Sequence, residues 1–290
     1  MDGQIRRNKT AQKAIVKACK RYIETHLHED ITVESLAEMH GLPSRTLWRY
    51  FNNIGKYTVS EYIRLRKVHQ AARYLMHGKT VKDTRESSFF NSETNFTEAF
   101  TEYYGISPWR FRRSRGMELM TEPTVMSRPE FYIVGYVFEG TEFIDWEDSG
   151  AYYIIQDFPE IPPRDWARIG GGADMIGTWM VKDNRHYYIF GPGVKEVRFV
   201  PEHCDSYHVP GGLFAAFPVK KPKDPGDSTV LCENVQVTWF YALKQWIPAS
   251  DYEVDKTRVA YEYYLDGENL VCVPIVPRDK PQKKEKKEQV

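Results

Sequence analysis

Residues 36–51 constrain the fold of this chain more than any other segment, because they read as two short helices joined by a tight turn. Gly41 can adopt the positive φ that a sharp turn between helices requires. Ser44 is placed to cap the second helix. Leu47 and Phe51 follow one helical turn apart and are expected to face inward. The segment therefore predicts a helix-turn-helix.

The outward face of the second helix carries Arg45, Trp48 and Arg49 at spacings of three and four. A helix with this face fits the major groove of DNA, where arginine commonly reads guanine edges. An ordinary helical hairpin with a solvated basic face has the same pattern. This segment alone favours DNA binding over that alternative.

The charges are distributed unevenly, although the net charge of the 290 residues is zero. Residues 1–116 contain 21 Lys and Arg against 12 Asp and Glu, whereas residues 117–277 contain 13 against 25. A basic first third followed by an acidic body suggests two domains with partners of opposite charge.

The four cysteines, Cys19, Cys204, Cys232 and Cys272, are far apart and form no CxxC pair. We therefore expect reduced thiols, with neither a disulfide framework nor a metal site. There is no apolar run of membrane-spanning length, and the first residues are polar. The sequence predicts a cytoplasmic protein with no membrane partner and no cofactor.

The helix-turn-helix pattern occurs twice. Leu47 and Phe51 recur as Phe96 and Phe100, 49 residues later. The periodicity predicts a helix over residues 11–26, a long helix over 59–76 that connects the two copies, and helices over 81–89, 92–103 and 109–113. A repeat at this spacing is far more specific than a single hairpin.

Residues 11–115 resemble the DNA-binding domain of the AraC/XylS family, two helix-turn-helix units joined by a long helix. The matching residues are Leu36, Ala37, Gly41, Leu47, Phe51, Gly55, Glu61, Tyr62, Ile63, Arg64, Arg66, Ala71, Ala72, Leu75, Phe90, Phe96, Phe100, Tyr104, Gly105, Ile106, Ser107, Pro108, Phe111 and Arg112. We assign residues 1–113 to this domain.

The resemblance implies double-stranded promoter or operator DNA as a partner, with both recognition helices in successive major grooves, and contact with RNA polymerase. The residues that it places at the bases are Arg45, Thr46, Trp48 and Arg49 in the first unit and Glu93, Thr94, Asn95 and Thr97 in the second. The basic residues expected at phosphates are Lys56, Arg66, Lys79, Lys82, Arg110 and Arg112. Simple solubility is the alternative for each of these six.

The second unit departs from the family pattern. Arg85 replaces a small residue and Phe89 replaces the turn glycine, while Glu93 and Glu98 stand where basic residues are common. A glutamate can accept a hydrogen bond from cytosine N4, but it also repels phosphate. We therefore expect the first unit to supply most of the affinity.

Residues 114–130 read as a polar linker, and alternating aromatic segments follow. The predicted strands are 131–137, 175–181, 185–190, 194–200, 206–209, 213–219, 259–265 and 270–274, with one helix within 150–169 and another at 230–246. The Lys- and Glu-rich segment 278–290 is expected to be disordered.

Residues 131–277 resemble the GyrI-like effector-binding domain through the segments 209–217, 245–248, 261–264 and 273–275. The resemblance implies an α+β domain, a duplicated β-α-β-β unit with antiparallel sheets around a cleft. The predicted fold is therefore an all-α tandem helix-turn-helix domain followed by this α+β domain. The order of the two domains is similar to that of the Rob regulator.

Glu262 lies on a predicted strand, on the same face as Tyr264. The resemblance places a glutamate at this position in an aromatic pocket of multidrug-binding members. A carboxylate is costly in an apolar cleft, and a cationic aromatic effector would offset that cost. The candidate walls are Tyr264, Trp179, Trp239, Tyr188, Tyr153 and Phe214, although each of these aromatic residues could also be ordinary core.

Two alternatives to a ligand-responsive regulator remain. Some GyrI-like domains resemble hydrolases that use paired carboxylates, which would require Glu139, Glu142 or Asp145 close to Glu262. No spacing in the sequence indicates that proximity. The domain could also dock a protein. We favour a DNA-binding regulator, not an enzyme, whose second domain binds a small effector.

Overall fold

The computed structural model describes residues 2–55, 57–140, 161–172, 174–183, 185–222, 228–265 and 268–278. The chain forms two compact units, Met1–Leu119 and Met120–Val290. Among the described residues, no helix is both long enough and apolar enough to cross a membrane.

The first unit is entirely helical, as predicted. Its helices are α1 (Asp2–Thr25), α2 (Val33–Met39), α3 (Ser44–Tyr50), α4 (Val59–Met76), α5 (Val81–Ser87), α6 (Glu93–Tyr104) and α7 (Pro108–Ser114), with a π-helical turn at Phe51–Gly55 and a 3-10 turn at Met117–Leu119. The long connecting helix α4 has the predicted bounds. Its start is fixed by a capping box, in which Glu61 accepts from the backbone N–H of Thr58 at 2.7 Å and Thr58 accepts from that of Glu61 at 3.2 Å.

The two helix-turn-helix units use the same backbone turn. Gly41 has a φ of 62° and Phe89 a φ of 57°. Each donates its N–H to the carbonyl three residues earlier, Gly41 to Glu38 at 3.0 Å and Phe89 to Glu86 at 3.1 Å. A left-handed conformation is strained for a side chain such as Phe89, so the second turn is the less favourable of the two.

The start of α3 differs from the prediction. Pro43 is the N-cap residue and makes no side-chain cap, and Ser44 is already the first helical residue. The prediction of Ser44 as a cap is therefore wrong. Proline sets φ near the helical value but offers no side-chain oxygen to the free backbone N–H groups.

The position of Arg66 also differs from the prediction. We expected it at the surface as a phosphate contact, but its side chain is fully buried and its Nε lies 2.6 Å from Oε1 of Glu24, which α1 contributes. Tyr62 donates to the same Glu24 oxygen at 2.8 Å, and Arg66 donates to Nδ1 of His69 at 2.9 Å. This network fastens α1 to α4 inside the first unit.

The second unit is built on an antiparallel sheet. Its strands are β1 (Thr124–Arg128), β2 (Phe131–Gly140), β3 (Met175–Lys182), β4 (Arg185–Val194), β5 (Cys204–Val209), β6 (Gly212–Pro218), β7 (Tyr252–Val254), β8 (Tyr261–Leu265) and β9 (Glu268–Pro277). Its helices are α8 (Pro163–Ile169) and α9 (Ser228–Tyr241), which continues through a π-helical turn (Ala242–Trp246) into one further helical turn (Ile247–Ala249).

The strand order β1-β6-β9-β8-β3-β4-β2-β5, with β7 on β9, has an internal pseudo-two-fold symmetry. The units β2-α8-β3-β4 and β6-α9-β8-β9 are the two predicted β-α-β-β halves, joined where β3 pairs with β8. β1 precedes the first half but pairs with β6 of the second half, and β5 precedes the second half but pairs with β2 of the first half. Each half therefore supplies an edge strand to the other.

Three segments differ from the sequence prediction. The expected linker 114–130 contains the 3-10 turn and β1, and β7 was not predicted. The strand expected over 194–200 is absent from the described residues, since β4 ends at Val194. The tail 279–290 and most of the region 150–169 lie outside the described residues.

The two faces of the sheet have separate apolar clusters. One cluster packs α9 against the face that carries Val271 and Val273. The other lies on the opposite face and includes Phe214, Tyr261 and Cys272. Side chains alternate along each strand, so each candidate pocket residue belongs to one face only.

Replacing Glu24 with Gln should destabilise the first unit by roughly 3–5 kcal/mol, because the guanidinium of Arg66 would remain buried without its carboxylate. Hydrogen exchange of the α1 and α4 amides in the full chain would measure this loss. Glu102→Gln is the control, because it breaks the exposed Arg64–Glu102 pair at 2.8 Å and should cost no more than about 1 kcal/mol. Equal effects of the two substitutions would contradict the role assigned to the buried pair.

Candidate functional site

The exposed face of α3 carries the predicted cationic group. Arg45, Trp48 and Arg49 are exposed, and Trp48 retains 51% of its accessible surface. The guanidinium of Arg49 lies 5.9 Å from the ring of Tyr50, and neither arginine forms an ion pair with a described residue. Thr46 is half-buried. Both guanidinium groups are therefore available to an acceptor outside the chain.

The corresponding face of α6 is acidic. Glu93, Thr94 and Asn95 are exposed and Thr97 is half-buried, while the helix contains no basic residue. Ser92 caps its start by accepting from the N–H of Asn95 at 3.1 Å. This face offers acceptors and amide groups to a base edge but nothing that neutralises phosphate.

The remaining predicted phosphate contacts are mostly engaged within the chain. Arg112 donates to the carbonyl of Lys79 at 2.7 Å, and Arg110 pairs with Glu118 at 2.5 Å. The ammonium of Lys79 lies 3.8 Å from the ring centre of Tyr74. Lys82 is exposed, and Lys56 lies outside the described residues.

A second candidate site is centred on Glu262 in β8, near the pseudo-two-fold axis of the sheet. Glu262 pairs with Gly177 of β3 and is only 3% exposed. A Cβ at Gly177 would collide with the hydroxyl of Tyr188. Glycine at this position therefore gives Tyr188 the room to reach the carboxylate.

Three donors surround the carboxylate of Glu262. Tyr188 donates to Oε2 at 2.5 Å and Tyr264 donates to the same oxygen at 3.0 Å. Trp239 of α9 donates its indole N–H to Oε1 at 2.8 Å. No described basic side chain forms an ion pair with Glu262. Within the described part of the chain, the groups that hold the acid are thus neutral.

Burial sets the protonation behaviour of this site. Desolvation raises the pKa of Glu262 above its usual 4.5, although the hydrogen bonds from Tyr188, Trp239 and Tyr264 act in the opposite direction. Burial and the neighbouring carboxylate also raise the pKa of Tyr188 and Tyr264 well above 10. Both phenols therefore remain donors, and a cation that reached Glu262 would favour its charged form.

The structure brings together most, but not all, of the predicted walls. The ring of Trp179 packs 5.0 Å from that of Tyr188 on the same face of the sheet. Phe214 does not belong to this site, because its ring lies 5.4 Å from Tyr261 on the opposite face. Tyr153 lies outside the described residues.

Two participants were not predicted from the sequence. Gly177 is required for the approach of Tyr188, and Phe190 packs edge-on to Tyr264 with ring centres 5.9 Å apart. A glycine inside an aromatic strand signals a close approach by another group, so Gly177 could have been recognised. Phe190 has no comparable signal in the sequence.

The hydrolase alternative requires a second acid, and none is among the described hydrogen-bond partners of Glu262. The carboxylate of Glu262 has Tyr188, Trp239 and Tyr264 as its hydrogen-bond partners. The side chains of Glu139, Glu142 and Asp145 lie outside the described part of the chain. Within that part, no group of three or more His, Cys, Asp or Glu side chains could hold a metal ion.

Comparisons with known proteins identify the first unit. A family model described as a helix-turn-helix domain matches residues 36–114. The transcriptional activator AarP of Providencia stuartii is 30% identical over 110 residues, which are 38% of this chain and 82% of that protein. The right origin-binding protein of Escherichia coli K12 is 26% identical over 148 residues, or 51% of this chain and 50% of that protein.

The transcriptional regulator Rob of Salmonella typhimurium is 22% identical over 148 residues, again covering 51% of this chain and 50% of that protein. The chain thus spans about half the length of these last two relatives. The match to AarP covers most of that activator. The chain therefore belongs to the AraC/XylS family of helix-turn-helix transcription regulators, with the DNA-binding domain ahead of the β-sheet domain.

Proposed function

We propose that this regulator binds double-stranded operator DNA through α3 and α6 and binds a small cationic aromatic effector at Glu262. The effector site is of the GyrI-like type, and the regulated step is transcription through contact with RNA polymerase. The operator-binding residues are Arg45, Thr46, Trp48 and Arg49 on α3, and Glu93, Thr94, Asn95 and Thr97 on α6.

The DNA-binding part of the proposal rests on charge and exposure. The first 116 residues carry a net positive charge, and Arg45 and Arg49 project from α3 without ion pairs to described residues. A guanidinium donates two parallel hydrogen bonds to guanine O6 and N7 in the major groove. The acidic α6 would add base selectivity with little affinity.

The effector part is carried by one observation, the burial of Glu262 among neutral donors. A buried carboxylate without a counter-charge is costly, and an aromatic cation removes that cost by pairing with it. Trp179, Tyr188, Trp239 and Tyr264 supply aromatic rings whose faces can make cation–π contacts, each about 2 kcal/mol when desolvated. A neutral ligand would gain much less at this position.

Replacing Glu262 with Gln should abolish stabilisation of the protein by tetraphenylphosphonium while raising its stability without ligand. The gain arises because the amide keeps the acceptor oxygen but not the buried charge. The raised pKa of Glu262 fixes the sign of its own contribution to stability, which is fully present below pH 4.5 and is lost as the pH rises through the pKa of the folded state. Thermal unfolding of the full chain between pH 4 and pH 8 would measure both effects.

Neutral triphenylphosphine oxide is the matched control ligand and should produce no shift in the melting temperature. Stabilisation by the cation that persisted in Glu262→Gln would contradict the proposed site. If no cationic compound stabilised the wild type, the evidence would favour the alternative that the second domain docks a protein.

Replacing Arg49 with Ala should weaken binding to an operator selected from random DNA by roughly 1–3 kcal/mol and relax the preference at one base position. The loss follows from removal of a bidentate contact to guanine. Fluorescence anisotropy with the selected duplex and its single-base variants would measure it. Arg164→Ala, an equal change of charge on the exposed surface of the second unit, should leave both quantities unchanged.

Replacing Glu93 with Gln should move the preference at one position from cytosine towards adenine, because Glu accepts from cytosine N4 whereas Gln pairs with adenine N6 and N7. Affinity should also rise, since one charge that repels phosphate is removed. Selection of binding sites by each variant would test this. An unchanged sequence preference would exclude Glu93 from base contact.

A further inference from the structure

The helical run from Ser228 to Trp246 contacts two carboxylates that lie far apart in the sequence. Near its middle, Trp239 donates to Glu262 at 2.8 Å. At its end, the indole of Trp246 donates to Oε2 of Glu122 at 2.7 Å, and the hydroxyl of Tyr241 donates to Oε1 of Glu122 at 3.3 Å. One continuous helical element thus connects the candidate effector site to Glu122.

Glu122 occupies a special position in the chain. The first compact unit ends at Leu119, so Glu122 belongs to the short segment that leads out of the DNA-binding domain into β1. Met120 and Val125 on either side of it pack into the same apolar cluster as Trp239 and Trp246. The side chains of this helical run therefore hold the segment in place.

The element between the two contacts is not a regular helix. α9 ends at Tyr241 and residues Ala242–Trp246 form a π-helical turn. Pro248 follows and has no backbone N–H to donate to the preceding turn. π-Helical turns are uncommon and often lie at functional sites.

A ligand cannot pair with Glu262 in the conformation described. The carboxylate is 3% exposed and both of its oxygens already accept hydrogen bonds. Tyr188 and Tyr264 are fixed on strands inside the sheet, whereas Trp239 lies on the helix that covers the carboxylate. The helix is the part that must yield when a cation enters.

We propose that entry of the effector displaces Trp239 from Glu262 and that α9 transmits this displacement, through Tyr241 and Trp246, to Glu122 and the segment that follows the DNA-binding domain. This inference rests on the proposed effector site and adds the route by which that site regulates DNA binding. Glu122 and Trp246 act as positioning residues, since neither touches the effector.

The first experiment tests the proposed route in the absence of a ligand. Trp239→Phe keeps an aromatic ring but removes the N–H that holds Glu262. Backbone amides of residues 120–128 should exchange with solvent about tenfold faster in this variant, as expected when a hydrogen bond to a charged group is lost. Tyr188→Phe and Tyr264→Phe remove the strand-borne donors and should leave exchange at 120–128 within about twofold of the wild type.

A second experiment uses tetraphenylphosphonium and operator DNA that the full chain has selected. In the wild type, the cation should change operator affinity at least about fivefold, the usual lower limit of allosteric coupling. Trp246→Phe and Glu122→Gln should keep the dissociation constant for the cation within about threefold but lose its effect on DNA. Trp166→Phe on α8 is the matched control and should retain the effect.

The hydrogen-exchange and DNA-binding experiments together distinguish failure of this inference from failure of the proposed function. If the cation does not bind the wild type, the effector assignment is wrong, and hydrogen exchange alone decides the coupling. Unchanged exchange at 120–128 in Trp239→Phe overturns the inference. So does full retention of the cation's effect on DNA in both Trp246→Phe and Glu122→Gln.

Discussion

The carboxylate of Glu262 is buried where water cannot reach it, and much of the second unit can be understood from that requirement. A buried acid must receive hydrogen bonds, and here they come from β4, β8 and α9. The same demand explains glycine at position 177, since any side chain there would exclude the hydroxyl of Tyr188. The order of the strands and the placement of α9 thus bring three donors to the two carboxylate oxygens of Glu262.

The two helix-turn-helix copies in the first unit differ in the residue at the turn and in the charge of the outer helix. The first copy has a glycine at its left-handed turn, and its outer helix carries two exposed guanidinium groups that form no ion pair with the described residues. The second adopts the same turn with Phe89, at a cost of about 1–2 kcal/mol, and presents acids instead. Its stability depends on the shared framework of α4, to which Lys67 adds a hydrogen bond to the carbonyl of Phe89 at 3.1 Å.

Periodicity in the sequence was enough to predict the tandem motif and the bounds of α4, whereas the duplicated β-α-β-β halves were predicted from the resemblance to the GyrI-like domain. It could not predict that Arg66 is buried, because a helical pattern does not reveal that Glu24 arrives from another helix to neutralise it. Phe214 was predicted as a candidate wall of the pocket but lies on the opposite face, since alternation defines two faces without showing which one carries Glu262. The strand β1 was missed because it is short and polar and is stabilised by a partner distant in sequence.

The internal pseudo-two-fold symmetry of the sheet places two positions next to each other that a homodimer of one half would have to fill with the same residue. The β3–β4 hairpin ends with the pair Lys182 and Arg185, and the β8–β9 hairpin ends with the pair Leu265 and Glu268. When the internal symmetry superimposes these two pairs, Trp179 of the first half occupies the position of Glu262 in the second. A homodimer of one ancestral half would place two glutamates as diagonal neighbours on one face, about 7–8 Å apart, where burial would make them repel. In a single chain the two symmetry-related positions can carry different residues, and here they carry Glu262 and Trp179, so that one acid is buried beside an indole.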